Sequence, residues 1–132
     1  MKVRNTLILA LIICSSCSTL RQEIGSKQIR TALYFGLSIP SGGNVSEKQW
    51  QAFVDEEVTP RFQNGFTVID GKGQWLDQQR NKIDHEDSKV LIILHQKNTA
   101  MEKKLDSIKQ RYIELYNQQS VLRVDQKVRV WF

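Results

Sequence analysis

Cysteine, proline and histidine are scarce in this chain, each occurring only twice in 132 residues. Both cysteines, Cys14 and Cys17, lie close together near the start. A disulfide framework spreads its cysteines through a domain, so the folded part must stand without bridges. The two histidines, His85 and His95, lack the spacing of a metal-ligating pair. No glycine-rich phosphate loop runs into Lys and Ser, and no Gly-x-Ser-x-Gly occurs. No catalytic residue, metal or cofactor is therefore expected. Long hydrophobic runs are missing too. The apolar stretch Leu7-Ile-Leu-Ala-Leu-Ile-Ile13 falls short of the about 20 residues a bilayer-crossing helix needs. Nor is there a strong excess of one charge. Nineteen Lys and Arg stand against fourteen Asp and Glu, a net of +5. Basic residues alternate with acids over 102–114, which leaves no nucleic-acid-binding patch.

What is present begins at the N-terminus. Lys2 and Arg4, the apolar run and Cys14-Ser-Ser-Cys17 together form a basic start, a short apolar core and a small-residue exit, the pattern of a secretory signal. The exit resembles the lipobox of bacterial lipoproteins, in which small residues precede a cysteine that is acylated and becomes the first mature residue. Ser15 and Ser16 are the small residues, and Cys17 would carry the lipid. Cys14 stands where that motif usually has Leu. Ser18, in place of Asp, resembles the pattern of lipoproteins passed on to the outer membrane. The expected organisation is a signal peptide over 1–16, a flexible tether over 17–29 and one domain over 30–132. Its expected place is the bacterial cell envelope, at the outer membrane facing the periplasm, with the membrane as partner through the lipid. Loss of Lys2 and Arg4 would leave a formal charge of +3.

Along the domain, residues 31–38 have strand composition, with Leu33, Phe35 and Leu37 on one face and Tyr34 on the other. Pro40-Ser-Gly-Gly-Asn44 ends that strand. Ser46 and Gln49 form a capping box, flanked by the staple pair Val45 and Trp50. The spacing of Trp50, Phe53, Val54 and Val58 predicts a helix, and Pro60 stops it near Val58. A second strand is expected over 66–69, with a bulge or bend at Gly71 and Gly73 before Gln74 and Trp75. A hairpin tip at 78–82 then leads into 83–89. The unbroken apolar run 90–94 predicts a central strand buried on both faces. Asn98 or Thr99 starts a second helix, with the stripe Met101, Leu105, Ile108, Tyr112 and Leu115. Residues 120–124 and 127–132 close the chain as strand. This order, strand, helix, strand, strand, helix, strand, predicts an α+β, ferredoxin-like βαββαβ fold: a four-stranded antiparallel sheet with two helices on one face.

Leu33-Tyr-Phe-Gly36, Val45-Ser46, Trp50, Val58-Thr-Pro-Arg-Phe62, Gly73-Gln-Trp75, Ser88-Lys89 and Gln119-Ser-Val-Leu-Arg-Val124 resemble the bacterial family known as domain of unknown function 3574. Many members of that family look like secreted proteins or lipoproteins. The likeness runs from Thr31 to Val130 and departs in Gln63, where relatives tend to have Pro, and in Gln119, where Glu is common. It implies the domain limits and an exported setting, and brings no activity with it.

Five polar and aromatic residues are not explained by secondary structure alone: Tyr34, Arg61, Gln74, Trp75 and Arg123. If Leu122 and Val124 face the helices, Arg123 joins Tyr34 on the open face. Arg61 and the Gln74–Trp75 pair then complete a binding surface for an anionic or planar ligand. Against this stands the plainer reading, in which Arg123 pairs with Asp125 or Glu57 and the aromatics merely cover the sheet. The group Asp84-His-Glu-Asp87 reads as a solvated strand start. Tyr34, Ile69, Leu91, Ile93 and Arg123 are expected to line the open face. That composition favours a non-enzymatic binding module, not an enzyme, acting on a protein partner or a second copy of itself. The other class is a small enzyme whose organic substrate lies between paired ferredoxin-like sheets. It would need His, Asp or Glu in the cavity.

Overall fold

The computed structural model describes residues 25–132. Cys14, Cys17 and the expected signal and lipid site lie outside the described residues. The chain forms β1 (Ser26–Gly36), α1 (Glu47–Phe53), one π turn (Val54–Val58), β2 (Thr67–Asp77), β3 (Lys82–His95), α2 (Thr99–Tyr116) and β4 (Leu122–Val130). The strands pair antiparallel throughout in the order β2-β3-β1-β4. This is the α+β, ferredoxin-like arrangement that the order of elements predicts.

The helix starts follow from their caps. The Ser46 hydroxyl accepts from the Gln49 amide while the Gln49 side chain accepts from the Ser46 N–H, so α1 opens on a complete capping box. At the far end Pro60 has no N–H to continue the α pattern. The chain widens instead into the π turn, closed by Thr59 N–H to the Val54 carbonyl at 2.8 Å. In α2 it is Asn98, not Thr99, that caps, its side chain accepting from Met101 N–H at 2.8 Å. Asn117 ends α2 in the left-handed region at φ 52°, a conformation Asn tolerates better than most residues.

Both helices cover one face of the sheet. Leu33, Phe35, Leu91 and Ile93 from β1 and β3 pack with Trp50, Phe53, Val58, Leu105, Ile108 and Tyr112. Phe35 is the centre, with ring centroids 5.3 Å from Trp50, 5.7 Å from Phe53 and 4.8 Å from Tyr112. Tilted and edge-on contacts of this kind add to the area they bury. The last apolar member of the α2 stripe is Tyr116, which packs on the core. Leu115 is exposed.

Four expectations are corrected by the pairing. Residues Ser26 to Ile29, expected in the tether, belong to β1, because β4 is long enough to pair with them. β2 runs without a bulge through Gly71 and Gly73, each directly opposite one residue of β3. The run 90–94 is central but not covered on both sides. Leu91 and Ile93 face the core, whereas Val90 and Ile92 are half-buried and Leu94 exposed on the other face. Last, β4 has the opposite facing from that expected. Leu122 lies opposite Tyr34, Val124 opposite Ala32, and Arg123 opposite Leu33. Directly opposed residues share a face, so Leu122 and Val124 belong to the open face and Arg123 to the helix side. Val121, buried just before the strand, sets that alternation.

Candidate functional site: a groove on the open face around Glu86

Three strands bring small residues together near one end of the open face. Gly36 of β1 lies opposite Ser88 of β3, which in turn lies opposite Gly71 of β2; Gly73 lies opposite Glu86. With no side chains at these glycines, the sheet is hollowed. Tyr34, Trp75 and Leu122 stand around the hollow, and the resulting groove has a volume of about 740 Å³. Gly36 and Gly71 leave room for side chains of β3, whereas a Cβ on Gly73 would make only ordinary contact. A Cβ on Gly36 would lie 2.5 Å from Glu86 Oε1, and one on Gly71 would lie 2.7 Å from Ser88 Oγ.

Glu86 supplies the groove's negative charge, and Arg80 lines the same groove. Its Oε1 accepts from the Ser38 backbone N–H at 3.3 Å. Among the described residues it has no cationic partner, unlike its neighbour Asp84, which is held by Arg80. Arg80 also pairs with Asp77 at 2.8 Å, and Asp77 accepts from the Gln79 and Arg80 amides, so the β2–β3 hairpin beside the groove is braced. That bracing holds the Asp77 carboxyl below its usual range, chiefly through the Arg80 amide and guanidinium. From beneath the sheet Tyr112 donates to the Gly36 carbonyl at 2.9 Å, and burial pushes its phenol well up. The phenol thus stays protonated and pins the groove floor.

Of the residues singled out from the sequence, Tyr34 and Trp75 both line this groove. The other three do not. Gln74 is opposite His85 on the reverse face, one residue out of phase with Trp75. Arg61 turns back on its own helix, donating to the Glu57 carbonyl at 2.6 Å and pairing with the Glu57 carboxylate at 3.0 Å. It satisfies a carbonyl left without a partner where the helix ends. Arg123, on the helix side, forks onto Glu102 at 2.7 and 3.1 Å and onto Asp125 at 3.0 and 2.8 Å. The hydrogen bonds to Glu102 and Asp125 raise the Arg123 guanidinium further, while Arg123 holds both carboxyls low. The pairing with Asp125, the plainer reading, is what occurs. Leu91 and Ile93 are core residues and leave the expected open-face set, where Ile69 and Tyr34 remain. Asp125 also accepts from the buried Thr31 hydroxyl at 2.7 Å, whose oxygen lies 2.8 Å from Nε2 of the buried His95.

Glu86 was the residue the sequence hid. It sits in Asp84-His-Glu-Asp87, which reads as a solvated charged start. The available signal was its parity: counted back from the buried Leu91, Glu86 and Ser88 share the face of Val90, and the glycines of β1 and β2 fall opposite them.

A family model described as "Protein of unknown function (DUF3574)" matches residues 30–132. The chain belongs to that family. No curated protein matches the sequence. Among solved structures, a phage SAM lyase in complex with S-methyl-5'-thioadenosine is similar, with a TM-score of 0.58 and 16% identity over 83% of this chain and 88% of that one. The phage SAM lyase in its apo state is similar with a TM-score of 0.59 and 15% identity, over 85% and 91%. At such identity the likeness is one of fold. Against the expectation of a non-enzymatic binding module, these two structures of like fold are those of an enzyme.

Proposed function

We propose that this member of the family is a small enzyme that acts on a cationic organic substrate held in the open-face groove, at the cell envelope and anchored there through Cys17. The observation that carries the reading is Glu86: a carboxylate with no ion-pair partner among the described residues, over a glycine-hollowed floor in a groove that Tyr34 and Trp75 also line. A carboxylate attracts a positively charged centre, and it can take up a proton. The faces of Tyr34 and Trp75 suit a planar group or a cation. Exposed Ile69, Leu94, Leu122 and Val124 extend the same face as an apolar surface. A second copy laid across it would exclude water and strengthen the charge interaction inside. This matches the second class that the sequence left open, an enzyme whose substrate lies between paired sheets.

The substrate to try first is the one named for the fold neighbours, SAM, with S-methyl-5'-thioadenosine as the product to detect. The purified chain is incubated with SAM and the products are separated by liquid chromatography, with Glu86→Gln in parallel. The reading predicts S-methyl-5'-thioadenosine from the parent and a loss of about 100-fold or more in the variant, the scale of a lost acid–base or charge contact. Equal turnover by both proteins would remove Glu86 from the site. Turnover by neither would exclude this substrate and send the search to other sulfonium and ammonium compounds.

A further inference from the structure

The carboxylate of Glu86 rests on two residues at the very end of β1. It lies over Gly36, where an added Cβ would meet Oε1, and its Oε1 accepts from the Ser38 N–H at 3.3 Å. The sheet fixes the first of these residues and not the second. The pairing of β1 with β3 ends at Gly36 opposite Ser88, followed by one bond from Leu37 N–H to the Asp87 carbonyl at 2.9 Å. Ser38 is exposed and leads into a loop over 39–44 that is closed mainly on itself, with Gly42 and Gly43 at positive φ and residues 40–44 exposed. At 3.3 Å the Ser38–Glu86 bond is long, so a shift of a few tenths of an ångström at Ser38 decides whether it is made. What holds Ser38 in place comes from α2. Just past Asn117, which ends that helix, Gln118 donates from Nε2 to the Ser38 carbonyl at 2.8 Å, while its own N–H bonds the Ile113 carbonyl at 3.1 Å. Tyr112, on the same helix, donates to the Gly36 carbonyl at 2.9 Å. One helix end thus grips both residues on which Glu86 rests.

We infer that Gln118 is a positioning residue for Glu86, acting through Ser38 to keep the carboxylate in one place over the glycine floor. The inference rests on the reading of Glu86 as the substrate's contact, and adds what keeps that contact in register. A free glutamate side chain samples many rotamers, and freezing it when substrate arrives costs binding or rate. A backbone donor fixed in advance removes that cost. Ser38 supplies the donor, but its loop is too open to fix it. Gln118 ties that residue to the end of an 18-residue helix packed on the core. Its carboxamide bonds Ser38 and not the carboxylate, so its effect on Glu86 is indirect.

The test follows the Ser38 amide proton of the isotope-labelled full chain as the pH is lowered through the carboxylate range. The variant is Gln118→Met, which keeps the length of the side chain and removes its donor. An amide that donates to a carboxylate shifts when that carboxylate takes up a proton. In the parent the Ser38 signal should move in acid, and Glu86→Gln should abolish the movement. Gln118→Met should lose most of it, whereas a glutamine that served only packing would leave it intact. With SAM as the probe, Gln118→Met should lower kcat about tenfold and leave KM within about twofold, the split expected when an interaction of the transition state is lost. Full movement of Ser38 in Gln118→Met, no movement in the parent, or an unchanged kcat in the variant beside an active parent would each overturn the inference. Turnover by none of the proteins would strike the reading of the groove alone, because the Ser38 signal judges Gln118 without any substrate.

Discussion

Two residues that look alike in the sequence differ in what they do. Trp75 and Arg61 both resemble recognition residues, yet Trp75 is 49% exposed in the groove while Arg61 caps its own helix. Trp75→Ala should leave the melting temperature nearly unchanged, a cost under about 0.5 kcal/mol for a surface change, and weaken substrate binding. Arg61→Ala should cost about 1 kcal/mol through the lost hydrogen bond and leave turnover intact. Thermal melts with parallel activity assays separate the two. Arg123 carries a pH dependence. Its hydrogen bonds hold Glu102 and Asp125 below their ordinary values, so folding releases protons from them. Their contribution is complete at neutral pH and is lost as the pH falls below about 4, through the lowered folded-state values. The Arg123→Met variant should show a shallower loss of melting temperature in acid. It should cost only about 1 kcal/mol at neutral pH, because Glu102 and Asp125 remain 34% and 43% exposed and solvent screens them.

The elements themselves were largely legible. Ser46 with Gln49 caps α1 as its local chemistry predicts, and the run 90–94 is the central strand expected, though covered on one face only. Ser46→Ala should cost about 1 kcal/mol by chemical denaturation, the worth of a cap. The facing of strands was less legible, because both faces of this sheet carry apolar residues. With Val121 and Leu122 adjacent, and with Leu91, Ile92 and Ile93 in a row, alternation alone does not say which side is inside. The facing was decided by partners distant in sequence: Leu33 opposite Leu91, and Glu102 of α2 waiting for Arg123. The same ambiguity hid Glu86 and promoted Arg123 to the open face. Gly71 and Gly73 misled in another way. They mark where the open face is hollow, not where the strand bends.

At the scale of the whole molecule, the helices close one face of the sheet and leave the other with a carboxylate, two aromatics and a margin of exposed aliphatic residues. The groove lies at the Gly36 end of β1. If paired sheets enclose the substrate, Leu122→Glu should shift sedimentation toward the monomer and reduce turnover, since a charge would enter the apolar margin opposite Tyr34. The central claim, that substrate lies against Glu86 on the open face, is tested most directly by titrating the isotope-labelled chain with SAM and following its amide and indole signals. The account predicts shifts at Gly36, Gly73, Ser88 and the Trp75 indole, and their loss in Glu86→Gln. Shifts confined to the other end of β1, or spread over the helices while the groove stays silent, would contradict it.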